Sequence, residues 1–155
     1  MVSIETLLYI IRNRKVLLIL KKRGLGSGLY NAVGGKVKEG EDIKAAAIRE
    51  CKEEIGVEPI DPQWMGLLEF YNDEELYGYV YIFVTDKFIG EPRETDEAKP
   101  VWFVIDNLPY NKMWEDDRYW LPHVLMGKRI YGRFWFVNNW ERIIRKEVYI
   151  LERVR

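Results

Sequence analysis

The chain has 155 residues, 48% of them hydrophobic and 14% aromatic, and its 24 basic and 25 acidic side chains give a net charge of -1. We therefore expect residues 1–155 to form one globular domain with an ample core. The near-neutral charge argues against a surface for polymeric nucleic acid or for an anionic membrane, and a lone cysteine, Cys51, excludes an internal disulfide bond.

The N-terminal part of the chain predicts short strands around a glycine-rich loop. Residues 1–5 lack the basic and then apolar pattern of a signal sequence, and no apolar run approaches membrane-spanning length, so we expect a cytoplasmic protein. Apolar runs predict strands at 6–11 and 16–20, and glycines mark a loop at 24–28. A further short strand is expected to lead into Gly34 and Gly35.

A helix is predicted from about 42 to 55, soon after this glycine pair. Glu41 and Asp42 suit the positive N-terminal end of a helix, and Gly56 falls where the chain needs a left-handed residue. At about 100° per residue, one apolar arc of about 140° collects Ile43, Ala47, Ile48, Cys51 and Ile55. Glu54 falls inside this arc, so the helix is expected to carry a carboxylate at the edge of the core.

Three glutamates are predicted to crowd one edge of this helix near its negative C-terminal end. Glu50 lies about 40° from Glu54, and Glu53 about 60° beyond Glu50. One interpretation is a solvated face, because like-charge pairs cost only about 0.2–0.5 kcal/mol each and Arg49 is near. The other is a metal site, which the position of Glu54 favours, since burying an unpaired carboxylate is costly. Oxygen ligands favour Mg²⁺ or Mn²⁺ over zinc.

The rest of the chain predicts two hairpins, with a strand and a second helix between them. The first hairpin is expected at 64–71 and 77–85, and the strand at 101–105. The second helix is predicted at 119–127, where Pro122 is tolerable only in the first turn. Strands at 130–137 and 143–151 would close the chain as a hairpin.

The acidic pattern has the spacing of a known motif. Gly35 is followed after five residues by Glu41, and after seven more by Arg49-Glu50-x-x-Glu53-Glu54-x-Gly56. This matches the Nudix box completely, so the chain resembles a Nudix hydrolase. The resemblance implies an α/β fold, the Nudix α/β/α sandwich, in which a mixed sheet lies between helices and carries a catalytic loop-helix-loop.

Segments outside the box resemble the MutT-homologue branch, whose animal members hydrolyse oxidised purine nucleoside triphosphates. These segments are 21–24, 28–36, 96–97 and 113–120. The resemblance implies metal binding by the Gly34 carbonyl and by Glu50, Glu53, Glu54 and Glu97. It implies substrate binding by Thr6, Lys21, Asn31, Gly35, Lys36, Phe70, Trp114, Asp116 and Asp117, the last three of these at the base.

The implied reaction is attack of water on a bridging diphosphate, which gives a nucleoside monophosphate and pyrophosphate. Mg²⁺, or Mn²⁺, would neutralise phosphate oxygens and activate the water. Glu53, Glu54 or Glu97 would take the proton, and Arg49 would hold the glutamates by ion pairing. The residues alone do not choose among the three bases.

The base-site residues have chemistry that suits an oxidised purine. Trp114 offers a flat ring for stacking, and the carboxylates of Asp116 and Asp117 accept hydrogen bonds from the N1–H and amine of guanine or its 8-oxo form. Two adjacent acids can also share a proton, and a protonated acid donates to an adenine-type edge. Leu25 stands where the animal enzymes have an aromatic residue and Gly78 where they have methionine, so we expect one wall of the pocket to be less complete.

Each of these residues has an ordinary structural interpretation as well. Lys21 and Lys36 would then be surface lysines, Asn31 a turn residue, Glu97 part of a solvated acidic loop, and Asp116 and Asp117 caps of the second helix. The only histidine, His123, is given no catalytic role.

Two other functions stay open. One is a Nudix diphosphatase for ADP-ribose, a dinucleotide or a methylated purine nucleotide. The other is a silent nucleotide-binding module, which would be expected to have lost box glutamates, and none is lost here. In each case the expected partner is a nucleotide rather than a polymeric nucleic acid or a membrane, bound by a monomer or a homodimer.

Overall fold

The computed structural model describes residues 2–154, which form a mixed sheet and two α-helices. The strands are β1 (Ser3–Arg12), β2 (Lys15–Lys21), β3 (Tyr30–Asn31), β4 (Val33–Lys36), β5 (Glu58–Pro59), β6 (Gln63–Asn72), β7 (Glu75–Thr85), β8 (Phe88–Ile89), β9 (Ala98–Val104), β10 (Lys128–Val137) and β11 (Arg142–Arg153). The helices are α1 (Ile43–Ile55) and α2 (Asp117–Leu125), and two 3-10 turns lie at Ile105–Asn107 and Tyr110–Lys112.

Nine of the strands described within 2–154 form one sheet, in the order β11-β10-β6-β7-β1-β2-β3, with β4 paired to β1 and β9 to β2. β1 runs parallel to β7, and β10 runs parallel to β6, while the other pairs in this sheet are antiparallel. The mixed sheet expected from the resemblance is therefore confirmed. β5 and β8 form a separate two-stranded ladder that the sequence did not predict.

The two helices pack on opposite faces of the sheet, and each covers its own apolar core. On the α1 side, Leu8, Ile10, Cys51, Ile55 and Phe83 are buried together, so Cys51 serves packing as expected. On the α2 side, the core contains Tyr9, Leu68, Trp120, Leu121 and Phe134. Among residues 2–154 no helix is long and apolar enough to cross a membrane.

The ends of α1 follow the signals in the sequence. Asp42 is the N-cap, and its Oδ2 accepts a hydrogen bond from the backbone N–H of Ala45 at 3.0 Å. Gly56 ends the helix in the left-handed region at φ 73°, where a residue without a Cβ has no steric penalty. The predicted position of Glu54 in the buried stripe is also confirmed.

The prediction for α2 was wrong by two residues at each end, since the helix spans Asp117–Leu125 and not 119–127. The helix begins at Asp117, because the Asp117 N–H already turns back to the Trp114 carbonyl at 3.1 Å. Pro122 consequently lies inside the helix and not in its first turn, which costs about 3 kcal/mol or more. Burial of Trp120, Leu121 and Val124 outweighs that cost, since each fully buried large apolar side chain contributes about 1.5–3 kcal/mol.

Candidate active site

Two glycines of β4 allow the strand to approach both β1 and α1 very closely. A Cβ on Gly34 would lie 1.9 Å from the backbone oxygen of Thr6. A Cβ on Gly35 would lie 2.5 Å from the carboxyl carbon of Glu50. No side chain fits at Gly34, and one at Gly35 would displace the Glu50 carboxylate, so the glycine pair allows the box helix to lie directly against β4.

Glu54 is the buried carboxylate that the helical wheel predicted, with 7% of its surface exposed. Its Oε1 accepts a hydrogen bond from the Gly34 N–H at 2.9 Å. Burial raises the pKa of Glu54 to about 7 despite this hydrogen bond, and the charges of Glu50 and Glu97 raise it further. A carboxylate in this setting is stabilised by a cation.

Arg49 organises the acids of the box, as the resemblance implied. Its Nε donates to Glu41 Oε2 at 2.7 Å, and its Nη1 donates to Glu50 at 2.8 Å and to Glu53 at 3.1 Å. Its Nη2 donates to Glu41 Oε1 and to the Lys36 carbonyl. The hydrogen bond from Arg49 is the main reason that the pKa of Glu41 falls to about 2, so Glu41 anchors the guanidinium as a permanent anion.

Glu97 reaches the box through a loop that is tied to the end of α1. The hydroxyl of Thr95 donates to the Glu54 carbonyl at 2.8 Å, and the Glu97 N–H approaches Thr95 Oγ1 at 3.3 Å. Glu97 is exposed, but its charge raises the pKa of both Glu50 and Glu54. It therefore lies within electrostatic reach of the box glutamates.

The acids at this edge fit a hard divalent cation by their chemistry. They offer only oxygen donors, burial raises the pKa of Glu50 as well as that of Glu54, and the side chains repel one another. In residues 2–154 no three Asp, Glu, His or Cys side chains are arranged as a finished metal site. Glu50 and Glu53 are instead bonded to Arg49, and Glu53 is 54% exposed.

A cavity of about 450 Å³ is formed by β1, β7, α2 and the loops around them. It is lined by eight of the nine substrate-binding residues expected from the resemblance, namely Lys21, Asn31, Gly35, Lys36, Phe70, Trp114, Asp116 and Asp117. Thr6 does not line it and is buried, with no hydrogen-bond partner for its hydroxyl among the described residues. A more open hollow beside Arg12 and Phe88 shares no residue with this cavity.

The two aspartates of the cavity do not act as helix caps. Asp116 and Asp117 are 3% and 2% exposed, and the Oδ2 of Asp116 accepts a hydrogen bond from Trp120 Nε1 at 2.8 Å. The Oδ2 of Asp117 has no hydrogen-bond partner within residues 2–154. Burial raises the pKa of Asp116 to about 6, and burial together with the charge of Asp116 raises that of Asp117 well above its usual range. The pair is therefore suited to sharing a proton.

The surroundings of three further residues, Asn31, Lys21 and Gly26, bear on their interpretation. Asn31 lies in β3 and not in a turn, and its Oδ1 accepts from the Ala32 N–H at 2.8 Å. Burial raises the pKa of Glu54, and the charge of Lys21 lies close enough to offset a small part of that rise. A Cβ on Gly26 would lie 3.2 Å from the Trp114 ring, so the glycine-rich loop packs against this indole.

Several cavity residues were not found from the sequence, namely Glu5, Leu7, Tyr77, Val80, Phe136 and Trp140. The parallel pairing of β1 with β7 brings most of them together, and no local pattern encodes it. Leu25, where we expected an incomplete wall, is 55% exposed and lines the cavity, as do Tyr77 and Trp140. Gly78 has no room for a side chain, since its Cβ would lie 2.1 Å from the Ser3 carbonyl oxygen.

Four similarities to known proteins bear on this geometry. The family model of the NUDIX domain matches residues 4–124. The oxidized purine nucleoside triphosphate hydrolases of Danio rerio and Mus musculus are 44% and 41% identical to the chain over 136 residues, 86% of this chain and of each relative. A crystal structure of the MutT protein from Bacillus halodurans, 24% identical, has a TM-score of 0.84 over 95% of this chain and 97% of that chain, which is a likeness of fold.

Proposed function

This chain belongs to the Nudix family, and on that premise we propose that it hydrolyses oxidised purine nucleoside triphosphates such as 8-oxo-dGTP to a monophosphate and pyrophosphate. One observation carries the choice of substrate. The buried pair Asp116 and Asp117 lines the same cavity as Trp114 and the two lysines Lys21 and Lys36. The cavity thus combines an aromatic plane, two acceptors and two phosphate-binding cations. In a cell, the reaction would remove damaged nucleotides from the precursor pool.

Recognition of the base rests on the state of the two acids. The unpartnered Oδ2 of Asp117 is an acceptor for the N1–H or the amine of an 8-oxoguanine edge. With one proton shared by the pair, an acid also donates, which suits an adenine-type edge. Trp114 would stack on the base. We therefore expect several oxidised purines to be substrates.

Phosphate and the metal would bind where the cavity meets the box helix, because Gly35 lines the cavity and a Cβ on it would lie 2.5 Å from the carboxyl carbon of Glu50. Lys21 and Lys36 would bind phosphate oxygens as compact point charges. Family members need a divalent cation, which we propose is Mg²⁺ or Mn²⁺, held here by the Gly34 carbonyl and by Glu50, Glu53, Glu54 and Glu97. Bound there, the ion supplies charge neutralisation at phosphate oxygens and a lower pKa for water.

The protein side chains would then orient the water and take its proton. The network of Arg49 with Glu41, Glu50 and Glu53 holds the acids in position before substrate arrives. Glu54 is one candidate base, because it is a buried carboxylate held in place by the Gly34 N–H at 2.9 Å. Glu53 and Glu97 are the other two.

We propose further that residues 1–155 act as one Nudix domain in the cytoplasm, as a monomer or a homodimer. The net charge of -1 supports a small nucleotide as the partner, and neither polymeric nucleic acid nor a membrane. The experiment that tests the function is pyrophosphate release with Mg²⁺ from 8-oxo-dGTP and dGTP, beside cleavage of ADP-ribose. Preference for ADP-ribose would favour the alternative diphosphatase, and no turnover of any nucleotide would favour a silent binding module.

A further inference from the structure

Trp140 lies in the turn between β10 and β11 and lines the nucleotide cavity. Asn138, Asn139 and Trp140 all have positive φ, at 56°, 57° and 70°. Asparagine adopts this left-handed conformation readily, whereas a bulky residue seldom does. The turn therefore holds the indole in a backbone conformation that its own preference disfavours.

Hydrogen bonds attach this turn to the rest of the cavity wall. The Trp140 N–H donates to Asn72 Oδ1 at 3.3 Å, and the Asn138 N–H donates to Asp73 Oδ1 at 3.0 Å. Just beyond the turn, the Ile143 N–H donates to Glu115 Oε1 at 3.0 Å, next to Trp114. These bonds connect the turn with both the end of β6 and the segment that carries the base-site residues.

Aromatic side chains hold the Trp140 ring from several directions. Its centroid is 5.0 Å from that of Tyr77, 5.2 Å from that of Phe136 and 6.3 Å from that of Phe70. Its plane is at 77° to that of Trp114, with 6.4 Å between the centroids. A base stacked parallel to Trp114 would therefore meet Trp140 nearly at a right angle, the edge-to-face arrangement that aromatic rings favour.

From this geometry we propose that Trp140 is a specificity-determining residue, the end wall that limits the base pocket to purines without a bulky substituent. The inference deepens the proposed function and rests on it, since it names what the pocket admits. The alternative role for Trp140 is packing of the β10–β11 hairpin alone. A packing role would affect all ligands equally, whereas an end wall affects bulky bases differently from small ones.

The test measures binding of purine monophosphates to the purified full chain by titration calorimetry, so that no turnover is needed. The ligands are dGMP and two versions with a bulky group, 8-phenyl-dGMP and N²-benzyl-dGMP. The variants are Trp140→Ala and Trp140→Phe, with Trp135→Ala as the matched control. Trp135 belongs to the same hairpin, stacks on Tyr71 at 5.0 Å and does not line the cavity.

We expect Trp140→Ala to raise the Kd for dGMP about three- to tenfold through the lost ring contact. In the same variant, the Kd for at least one bulky ligand divided by the Kd for dGMP should fall by about tenfold or more, because the pocket opens at that end. Trp140→Phe should retain most of the wall and stay near wild type. Trp135→Ala should change neither quantity.

The inference would be overturned in favour of packing if Trp140→Ala changed all three Kd values by the same factor. It would also be overturned if Trp135→Ala changed the ratio of the Kd values as Trp140→Ala does. If Trp140→Ala does not fold by circular dichroism, Trp140→Leu keeps the apolar volume and answers the same question by its Kd ratio. Pyrophosphate release is scored separately. A chain that binds purines through Trp140 but hydrolyses none would reject the proposed function and leave this inference standing.

Discussion

Asp116 and Asp117 are adjacent buried carboxylates, yet within the described residues 2–154 only Asp116 receives a side-chain hydrogen bond, from the indole N–H of Trp120 at 2.8 Å. Natural proteins seldom leave a buried polar atom unsatisfied, and such an atom costs about 1–3 kcal/mol. The folded state lessens that cost by holding a proton on the pair. A ligand with two donors would remove this cost, so under the proposed function the pair would lower the stability of the free protein and favour binding of the base.

The first consequence is a pH dependence of stability. The pKa of Asp116 rises to about 6 and that of Asp117 is raised further from the usual value of about 3.9, so the folded state binds protons more tightly than the unfolded chain. This contribution is fully present below about pH 4 and is lost as the pH rises through 6 and beyond. We expect Asp117→Asn to be more stable than wild type by about 1–3 kcal/mol at pH 7.5 in urea unfolding. The gain should shrink by pH 4.5.

The control for this measurement is Asp106→Asn. Asp106 is exposed and pairs with Arg14 at 3.0 Å, so its removal should change stability by less than about 1 kcal/mol at both pH values. A gain for Asp117→Asn that is the same at pH 4.5 and 7.5, or a loss, would contradict the proton-sharing pair.

The same variant should lose activity. We expect Asp117→Asn to reduce kcat/KM for 8-oxo-dGTP by roughly 1–3 kcal/mol, the scale of one buried polar contact, without weakening metal binding. Trp114→Ala is the comparison, because lost stacking should weaken all purine substrates together. Steady-state kinetics on 8-oxo-dGTP and dGTP measure both effects. If kcat/KM for 8-oxo-dGTP and for dGTP, and the ratio of the two, are unchanged in both variants, then Asp117 and Trp114 do not belong to the base site.

A second set of variants concerns the metal. Hydrolysis should require Mg²⁺ or Mn²⁺ and stop in excess EDTA. We expect Glu54→Gln to lower kcat by at least about 10²-fold with the fold intact by circular dichroism, since a lost ligand weakens charge stabilisation in the transition state. Glu58→Gln is the matched control, because Glu58 lies just beyond the same helix end and its carboxylate pairs with Lys52 at 3.2 Å. Full activity in EDTA, or in Glu54→Gln, would dismiss the metal site.

Arg49 supplies a test of positioning. Its guanidinium group contacts Glu41, Glu50 and Glu53 at once. A lysine keeps the positive charge but lacks the planar group with several N–H donors. We expect Arg49→Lys to lower kcat by about tenfold or more while KM for 8-oxo-dGTP changes by less than about threefold, because the phosphate and base contacts stay in place. A variant with wild-type kcat would show that the network does not position the acids.

The sequence predicted well those parts of the structure that depend on residues close together in the chain. Asp42, Gly56 and the apolar spacing between them defined α1 and placed Glu54 in the buried stripe. Trp140 and Tyr77 were missed because a turn and a strand distant in sequence bring them to one cavity. The start of α2 was missed for a related reason. Two adjacent aspartates have the pattern of an exposed cap, and only the tertiary fold buries them.

The most direct test of the proposed function compares kcat/KM for 8-oxo-dGTP, dGTP and ADP-ribose with Mg²⁺ and identifies the products in ¹⁸O-water. We expect 8-oxo-dGTP to be the best of the three, with monophosphate and pyrophosphate as the products. ADP-ribose as the best substrate, or orthophosphate and a nucleoside diphosphate as the main products, would contradict the proposed function.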